Sequence, residues 1–128
     1  MKLLLDTHMV LWWEANHPRL PKEVLRLVRK EADAVFVSRA SLWEISIKLS
    51  MGRLKLDLAQ FTRNIEKGGF EWLDIKNEHL LTVAVLPTFD DHRDPFDRLL
   101  VAQSLTEPLL LLTADAALAR YGSTVRVV

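Results

Sequence analysis

Residues 2–6 read Lys-Leu-Leu-Leu-Asp, and residues 109–115 read Leu-Leu-Leu-Leu-Thr-Ala-Asp. Each run is short and continuously apolar, which is typical of strands buried on both faces of a parallel sheet. Each run also ends on an acid, Asp6 in the first and Asp115 in the second. If the two strands are neighbours, their carboxylates emerge at the same edge of the sheet, where open α/β folds bind ligands. The two stretches therefore predict a parallel sheet with an acidic edge.

Strands and helices alternate along the rest of the chain, a pattern that predicts an α/β fold in which helices cover both faces of a mostly parallel sheet. The predicted strands are 2–6, 34–37, 70–75, 109–113 and 125–128, the last of them at an edge. The predicted helices are 7–15, 21–32, 39–50, 58–67, 77–85, 95–106 and 114–121. A chain of 128 residues fits one domain, 1–128, with a single core.

Composition limits the classes of function. Lys plus Arg and Asp plus Glu number 17 each, so the net charge is zero and any nucleic-acid binding requires a local basic patch. The absence of cysteine excludes disulfides and thiolate metal sites, and it is compatible with a reducing cytoplasm. The longest apolar runs are far shorter than the roughly 20 residues that span a bilayer. With no export signal visible at the N-terminus, we expect a cytoplasmic protein without a membrane anchor.

Three more acids stand at notable places, and each of them, like Asp115, has an ordinary structural explanation. Asp94 precedes Pro95 at a predicted helix start, so it is a natural N-cap, and Asp97 in the first turn complements the helix dipole. Glu44 stands four residues before Lys48, the favourable order for a surface ion pair worth about 0.3 to 0.5 kcal/mol. Asp115 at the start of the next helix likewise complements a helix dipole.

These explanations account for each acid separately, whereas a metal site gives all of the acids one common cause. Glu44 lies within the apolar stretch Ser-Leu-Trp-Glu-Ile-Ser-Ile-Lys, residues 41–48, where a carboxylate is expensive to bury unless it is paired or binds a cation. Like charges gathered at one place repel each other unless a cation lies between them. Mg²⁺ binds through oxygen ligands and lowers the pKa of a bound water. The acids therefore predict a divalent metal site suited to chemistry on phosphate.

Four stretches in this order resemble the PIN-domain family, and more closely the VapC-type toxin ribonucleases of type II toxin-antitoxin systems. The stretches are MKLLLDTH at 1–8, VFVSRASLWEISIK at 35–48, HRDPFDRLLVAQS at 92–104 and LLLLTADAALARYG at 109–122. The resemblance implies a Rossmann-like three-layer sandwich whose acidic pocket binds Mg²⁺ or Mn²⁺ and cleaves single-stranded RNA by water attack on the phosphodiester. It also implies a VapB-type antitoxin that occludes the pocket, and a homodimer.

The resemblance also assigns roles to individual residues. Asp6 and Asp97 match the main metal ligands, and Glu44 and Asp115 complete the set of catalytic acids. Thr7 and Thr113 are expected to orient the carboxylates through their hydroxyls, with Asp94 in a supporting position. The basic residues near the acids in sequence are candidates for the phosphate backbone of RNA. They are Arg39, Lys48, Arg93 and Arg98.

Two alternatives stay open at this stage. The acids could serve phosphoryl transfer to an aspartate, as in receiver or phosphatase-like domains, although Thr7 and His8 follow Asp6 where a second acid would be expected. The chain could also be a non-catalytic module that binds a structural ion. For His8 and His92 we expect a capping or loop role rather than metal binding, and for the four tryptophans we expect packing rather than base stacking.

Overall fold

The computed structural model describes all 128 residues, Met1–Val128. Five strands form one sheet in the order β3-β2-β1-β4-β5, and every neighbouring pair is parallel. The strands are β1 (Lys2–Leu5), β2 (Ala34–Ser38), β3 (Glu71–Leu73), β4 (Leu110–Thr113) and β5 (Val125–Val127). The predicted α/β class is confirmed, and the sheet is parallel throughout.

Helices connect the strands and cover both faces of the sheet. They are α1 (Thr7–Glu14), α2 (Lys22–Arg26), α3 (Arg39–Ser50), α4 (Leu58–Lys67), α5 (Asn77–Val83) and α6 (Pro95–Thr106). A π-helical turn (Leu27–Glu31) continues α2, and a 3-10 helix (Ala116–Tyr121) follows β4. None of the helices combines the length and the apolar character that crossing a membrane requires.

The core has two halves, one on each face of the sheet. Leu3 and Leu5 of β1 and Leu112 of β4 belong to one cluster, and Leu4 and Leu111 belong to the other. Successive side chains of a strand point to opposite faces, so a continuous apolar run supplies both halves. Helices α1, α2 and α4 pack on the first half, and α6 and the 3-10 helix pack on the second.

Some predicted boundaries are wrong, for local reasons. The strand predicted at 70–75 is only Glu71–Leu73, because the Phe70 amide donates to the Ile65 carbonyl and so belongs to the end of α4. The helix predicted at 77–85 ends at Val83, where tight i→i+3 hydrogen bonds lead into the loop before Pro87.

Two predicted helices have a different hydrogen-bond pattern. The helix predicted at 21–32 widens into a π turn, in which the Ala32 amide donates to the Leu27 carbonyl at 2.9 Å. The helix predicted at 114–121 is a 3-10 helix, capped by Asp115 and tightened by a hydrogen bond from the Leu118 amide to the Asp115 carbonyl.

The strand order positions the site. The chain moves outward from β1 to β2 and β3, and then crosses to the other side of β1 to form β4. Leu5 pairs with Leu112, so Asp6 and Thr113 follow side by side at the carboxyl ends of β1 and β4. Ligands of open α/β sheets bind at such a reversal of strand order.

Candidate metal centre

Asp6 lies at the junction of β1 and α1, where it is almost fully buried. Its Oδ1 accepts the Met9 amide at 3.0 Å and so caps α1, and its Oδ2 accepts the Thr113 hydroxyl at 2.5 Å. Burial raises the pKa of Asp6 above its ordinary value, although both hydrogen bonds oppose this shift. A buried carboxylate whose charge is disfavoured in this way is a good ligand for a cation.

Glu44 faces inward from α3 and is held by partners on two sides. Its Oε1 accepts the Thr7 hydroxyl at 2.7 Å, and its Oε2 accepts the Lys48 ammonium at 2.9 Å. The hydroxyls of Thr7 and Ser41 lie 2.9 Å apart, and both residues are buried. The expected ion pair with Lys48 is therefore present, but it lies at the edge of the core because Glu44 is buried.

Asp97 has a strongly perturbed carboxyl group. Asp94 caps α6 by accepting the Asp97 amide at 2.9 Å, which places Asp97 on the first turn. Burial and then the charges of Asp94, Asp6 and Glu44 raise the pKa of Asp97 from 3.8 to about 7, while His92 lowers it. The charges of acids from β1, α3 and α6 thus meet at one place. A cation bound among these acids would relieve such repulsion.

Asp115 caps the 3-10 helix and is connected to Asp6 through Thr113. The Thr113 hydroxyl donates to Asp6 and accepts the Asp115 amide at 3.0 Å, so one buried hydroxyl orients two acids. The Asp115 carboxylate is about half exposed, and its Oδ1 accepts the Ala117 amide. Its Oδ2 lies 3.9 Å from His92 Nε2, which is 3.4 Å from Asp97 Oδ2.

The residues present fit a divalent cation. Asp6, Glu44, Asp97 and Asp115 supply carboxylate oxygens, the hard donors that Mg²⁺ and Mn²⁺ prefer. The hydroxyl groups of Thr7 and Thr113 donate hydrogen bonds to the carboxylates of Glu44 and Asp6, as the outer partners of metal ligands commonly do. The Nε2 atom of buried His92 has no hydrogen-bond partner although it faces two of the acids.

The four basic residues predicted for RNA lie in different settings. Lys48 is at the pocket through its pair with Glu44. Arg39 pairs with Asp74 and stacks over Trp72, so it lies at β3. The other two residues, Arg93 and Arg98, lie near α6. Arg93 is highly exposed beside Asp90. Arg98 donates inside the protein, to the carbonyls of Pro87 and Val83 and to the Tyr121 hydroxyl.

Sequence reasoning did not find three residues of this site. Ser41 supports Thr7, and no motif distinguishes a serine on an apolar helix. His92 lies in the loop before α6, as expected, but it is buried beside Asp97 and Asp115, and its ring contacts Tyr121. The signal available in the sequence for His92 was its position two residues before Asp94. Trp43 also differs from expectation, because it is 56% exposed beside Phe96 instead of packed in the core.

The fold and the acidic pocket together define the class of protein. A model described as the PIN domain matches residues 3–123. The match covers most of the chain, and the protein therefore belongs to the PIN domain family.

Individual relatives agree with this assignment. The chain is 26% identical over 125 residues to Ribonuclease VapC22 of Mycobacterium tuberculosis, a match that covers 91% of this chain and 88% of the relative. Its fold is similar to that in the crystal structure of VapBC2 from Rickettsia felis bound to a DNA fragment from their promoter, with a TM-score of 0.72, 18% identity and coverage of 99% and 97%. It is also similar to a toxin-antitoxin complex from Klebsiella pneumoniae, with a TM-score of 0.69, 15% identity and coverage of 98% and 96%.

Proposed function

We propose that this chain is a Mg²⁺- or Mn²⁺-dependent endoribonuclease, the toxin of a toxin-antitoxin pair, built as a single PIN-like domain over residues 1–128. The observation that carries this proposal is the convergence of acids on Asp97, where burial and then the charges of Asp94, Asp6 and Glu44 raise the pKa to about 7. Membership of the PIN family and the similarity to a ribonuclease support the reaction.

Each acid has a defined task in the proposed reaction, the attack of water on a phosphodiester of single-stranded RNA. A divalent cation, when bound, supplies Lewis-acid activation of the water and charge neutralisation at the phosphate. Asp6 and Asp97 hold this cation, and Glu44 and Asp115 complete the pocket. Thr7 and Thr113 fix the carboxylates of Glu44 and Asp6 through their hydroxyls, so the ligands are arranged before the cation arrives.

The phosphoryl-transfer alternative is weakened by the state of Asp6. Both oxygens of this carboxylate accept hydrogen bonds, from the Met9 amide and the Thr113 hydroxyl. A nucleophilic aspartate needs one oxygen free to attack phosphorus, whereas a metal ligand can keep such partners. A purely structural ion remains a testable alternative, because it would stabilise the protein without RNA cleavage.

The RNA is proposed to pass the acidic pocket between the aromatic pair Trp43 and Phe96 and the cations Lys48 and Arg93. Trp43 and Phe96 each precede an acid of the site, and their rings meet edge to face at 5.0 Å. Because Trp43 is 56% exposed, its free face can stack on a base, a contact worth about 1 to 3 kcal/mol that tolerates any base. Lys48, which lies at the pocket, and the highly exposed Arg93 are proposed to contact phosphate, since Arg98 donates to carbonyls within the protein and Arg39 lies at β3.

A VapB-type antitoxin is the proposed protein partner, as the similarity to toxin-antitoxin complexes suggests. A cleft of about 680 Å³ lies between α1 and α4, next to Lys48. Its lining combines apolar side chains with three cations and two acids, a mixture that suits an amphipathic segment. The apolar residues of the lining are Leu11, Trp12, Ala15, Leu54, Leu56 and Phe61, the cations are Lys48, Arg53 and Lys55, and the acids are Glu14 and Asp57.

We also propose a homodimer that acts in the cytoplasm, where RNA is the substrate. Helix α5 and the turn after it expose Leu80, Leu81 and Val85, an apolar surface that a second copy can cover. Light scattering on the Leu81→Lys variant tests this contact, with a shift from dimer to monomer as the expected result. A wild-type protein that is already monomeric at micromolar concentration contradicts it.

The direct test of the proposed reaction is cleavage of a single-stranded RNA by the purified chain with added Mg²⁺ or Mn²⁺. Asp6→Asn should abolish cleavage and leave the circular dichroism spectrum unchanged. Asp57→Asn is the matched control, because Asp57 also caps a helix by accepting an amide, that of Gln60 on α4. Wild-type turnover in Asp6→Asn, or cleavage that persists in excess EDTA, would count against the proposed function.

A further inference from the structure

His92 is the one histidine of the acidic pocket, and one of its ring nitrogens has no partner. The residue is 8% exposed, and its Nε2 atom makes no hydrogen bond although it is buried. This atom lies 3.4 Å from Asp97 Oδ2 and 3.9 Å from Asp115 Oδ2. A buried polar atom without a partner is costly, so its presence at two carboxylates needs a physical reason.

The ring of His92 is held firmly in this orientation. Its amide donates to the Phe89 carbonyl, and its ring packs edge to face on Tyr121. Its Nδ1 lies 3.1 Å from the Tyr121 hydroxyl, which also accepts a hydrogen bond from Arg98. Donation of the Nδ1 proton to the Tyr121 oxygen leaves the lone pair of Nε2 directed at the acids, the arrangement that supports metal-bound histidines.

His79 provides a contrast within the same chain. It is also buried near acids, beside Glu78 and Glu107. Its Nδ1 accepts the Lys76 amide at 3.0 Å, and its Nε2 lies 2.6 Å from Glu107 Oε2. Both nitrogens of His79 are used in fixing the start of α5, so that cluster has no atom left for a ligand.

The distances at His92 agree with binding to one ion. Octahedral bonds of about 2.1 Å place adjacent ligand atoms about 3.0 Å apart and opposite ones about 4.2 Å apart. The separations of 3.4 and 3.9 Å lie between these two values, and the ligand atoms of His92, Asp97 and Asp115 all lie within 4.8 Å of one another. The three ligand atoms are therefore close enough for a single cation to draw them together.

We infer that His92 Nε2 is a nitrogen ligand of an ion held together with Asp97 and Asp115, and that it makes the site prefer Mn²⁺ to Mg²⁺. This inference rests on the proposed metal site and adds to it the identity of the metal. Mg²⁺ is a hard cation that selects oxygen ligands, whereas transition-metal ions accept imidazole readily. Asp97 belongs to two sets of possible ligands. One set contains a nitrogen ligand and consists of His92, Asp97 and Asp115. The other contains only oxygen ligands and consists of Asp97 with Asp6 and Glu44, whose charges act on it.

Pulsed electron paramagnetic resonance of the Mn²⁺-loaded chain tests the coordination without any activity measurement. The wild-type protein should show the modulation of a directly bound ¹⁴N nucleus, and labelling histidine with ¹⁵N should change it. His92→Gln should remove this signal. His8→Gln, which alters the exposed histidine nearest in sequence to Asp6, should retain it.

Calorimetric titration of the same proteins tests the preference between metals. His92→Gln should weaken Mn²⁺ binding about 10-fold or more, and Mg²⁺ binding much less, because only the transition metal loses a favoured donor. If the substitution weakens the binding of both ions equally, the preference for Mn²⁺ is overturned. If His92→Gln does not fold, as judged by its melting in EDTA, the isotope-labelled wild-type protein and His8→Gln still decide the coordination.

The outcomes separate this inference from the proposed function. An Mn²⁺ signal without nitrogen, in a protein that still binds Mn²⁺ and cleaves RNA, overturns the role of His92 alone and leaves it as a hydrogen-bond donor to Asp97. Persistence of the nitrogen signal in His92→Gln overturns it as well. A wild-type protein that binds neither ion removes the metal site itself, and the proposed function fails with it.

Discussion

Replacement of Asp97 by Asn should stabilise the metal-free protein while abolishing its activity. In the folded chain the pKa of Asp97 is about 7 instead of 3.8, because burial and neighbouring carboxylates disfavour its charge. The folded state therefore keeps a proton that the unfolded state loses as the pH rises from about 4 to about 7. Stability falls across that window as pH rises, and an uncharged Asn at position 97 avoids the loss.

The magnitude follows from the shift and from the surroundings of the side chain. A shift of this size corresponds to about 4 kcal/mol if it is taken at face value. The Asp97 side chain is 28% exposed, and screening by water reduces the contribution to about 1 to 2 kcal/mol. Asn also gives up the attraction between the charge and the N-terminus of α6, about 0.5 kcal/mol. A net gain of about 1 kcal/mol raises the melting temperature by about 3 to 5 °C in a chain of this size.

Thermal unfolding in EDTA at about pH 8 measures the effect, and the same experiment at about pH 4 should show no difference because both side chains are then uncharged. Asp57→Asn controls for the chemistry of the substitution at an exposed helix cap. Added Mg²⁺ should raise the melting temperature of the wild-type protein but not that of Asp97→Asn. An Asp97→Asn protein that melts below the wild type in EDTA at about pH 8 would refute the electrostatic reasoning.

Three further results are expected. Thr113→Val removes the hydroxyl that donates to Asp6 and accepts the Asp115 amide, so it should lower activity about 10- to 100-fold and stability by about 1 to 3 kcal/mol, as cleavage and denaturant assays would show. Unchanged cleavage by this variant would contradict the orienting role. Mg²⁺ affinity measured by calorimetry should rise up to about 10-fold per pH unit below about pH 7, because Asp97 must lose its proton, and a flat profile would argue against that coupling. Trp43→Ala should weaken binding of single-stranded RNA about 10-fold or more, while Leu81→Ala on α5 should not, and equal affinities would exclude stacking on Trp43.

The strands that carry the site could be predicted from the sequence because their signal is local. The apolar runs at 2–6 and 109–113 identify strands buried on both faces, and the acid after each run follows directly. The N-cap role of Asp94 was also visible, since Asp before Pro at a helix start has a local mechanism. Such features depend on neighbours within a few residues.

Features that depend on distant contacts could not be predicted in the same way. His92 lies in a polar loop, and its burial depends on Tyr121, 29 residues further on. Arg98 resembles a surface cation in the sequence, yet its guanidinium donates to the carbonyl of Val83 at the end of α5 and to that of Pro87 in the loop that precedes α6. Phe70 was predicted to begin the third strand, but it belongs to the end of α4 through a backbone hydrogen bond that sequence periodicity does not reveal.

The hydrogen bond between Thr113 and Asp6 joins residues separated by 107 positions. Asp6 is therefore translated long before its hydrogen-bond partner Thr113 and the neighbouring Asp115. A nascent chain that lacks β4 has neither the hydroxyl that orients Asp6 nor the strand that pairs with β1. The proposed nuclease is therefore expected to become active only after β4 has been synthesised and has paired with β1.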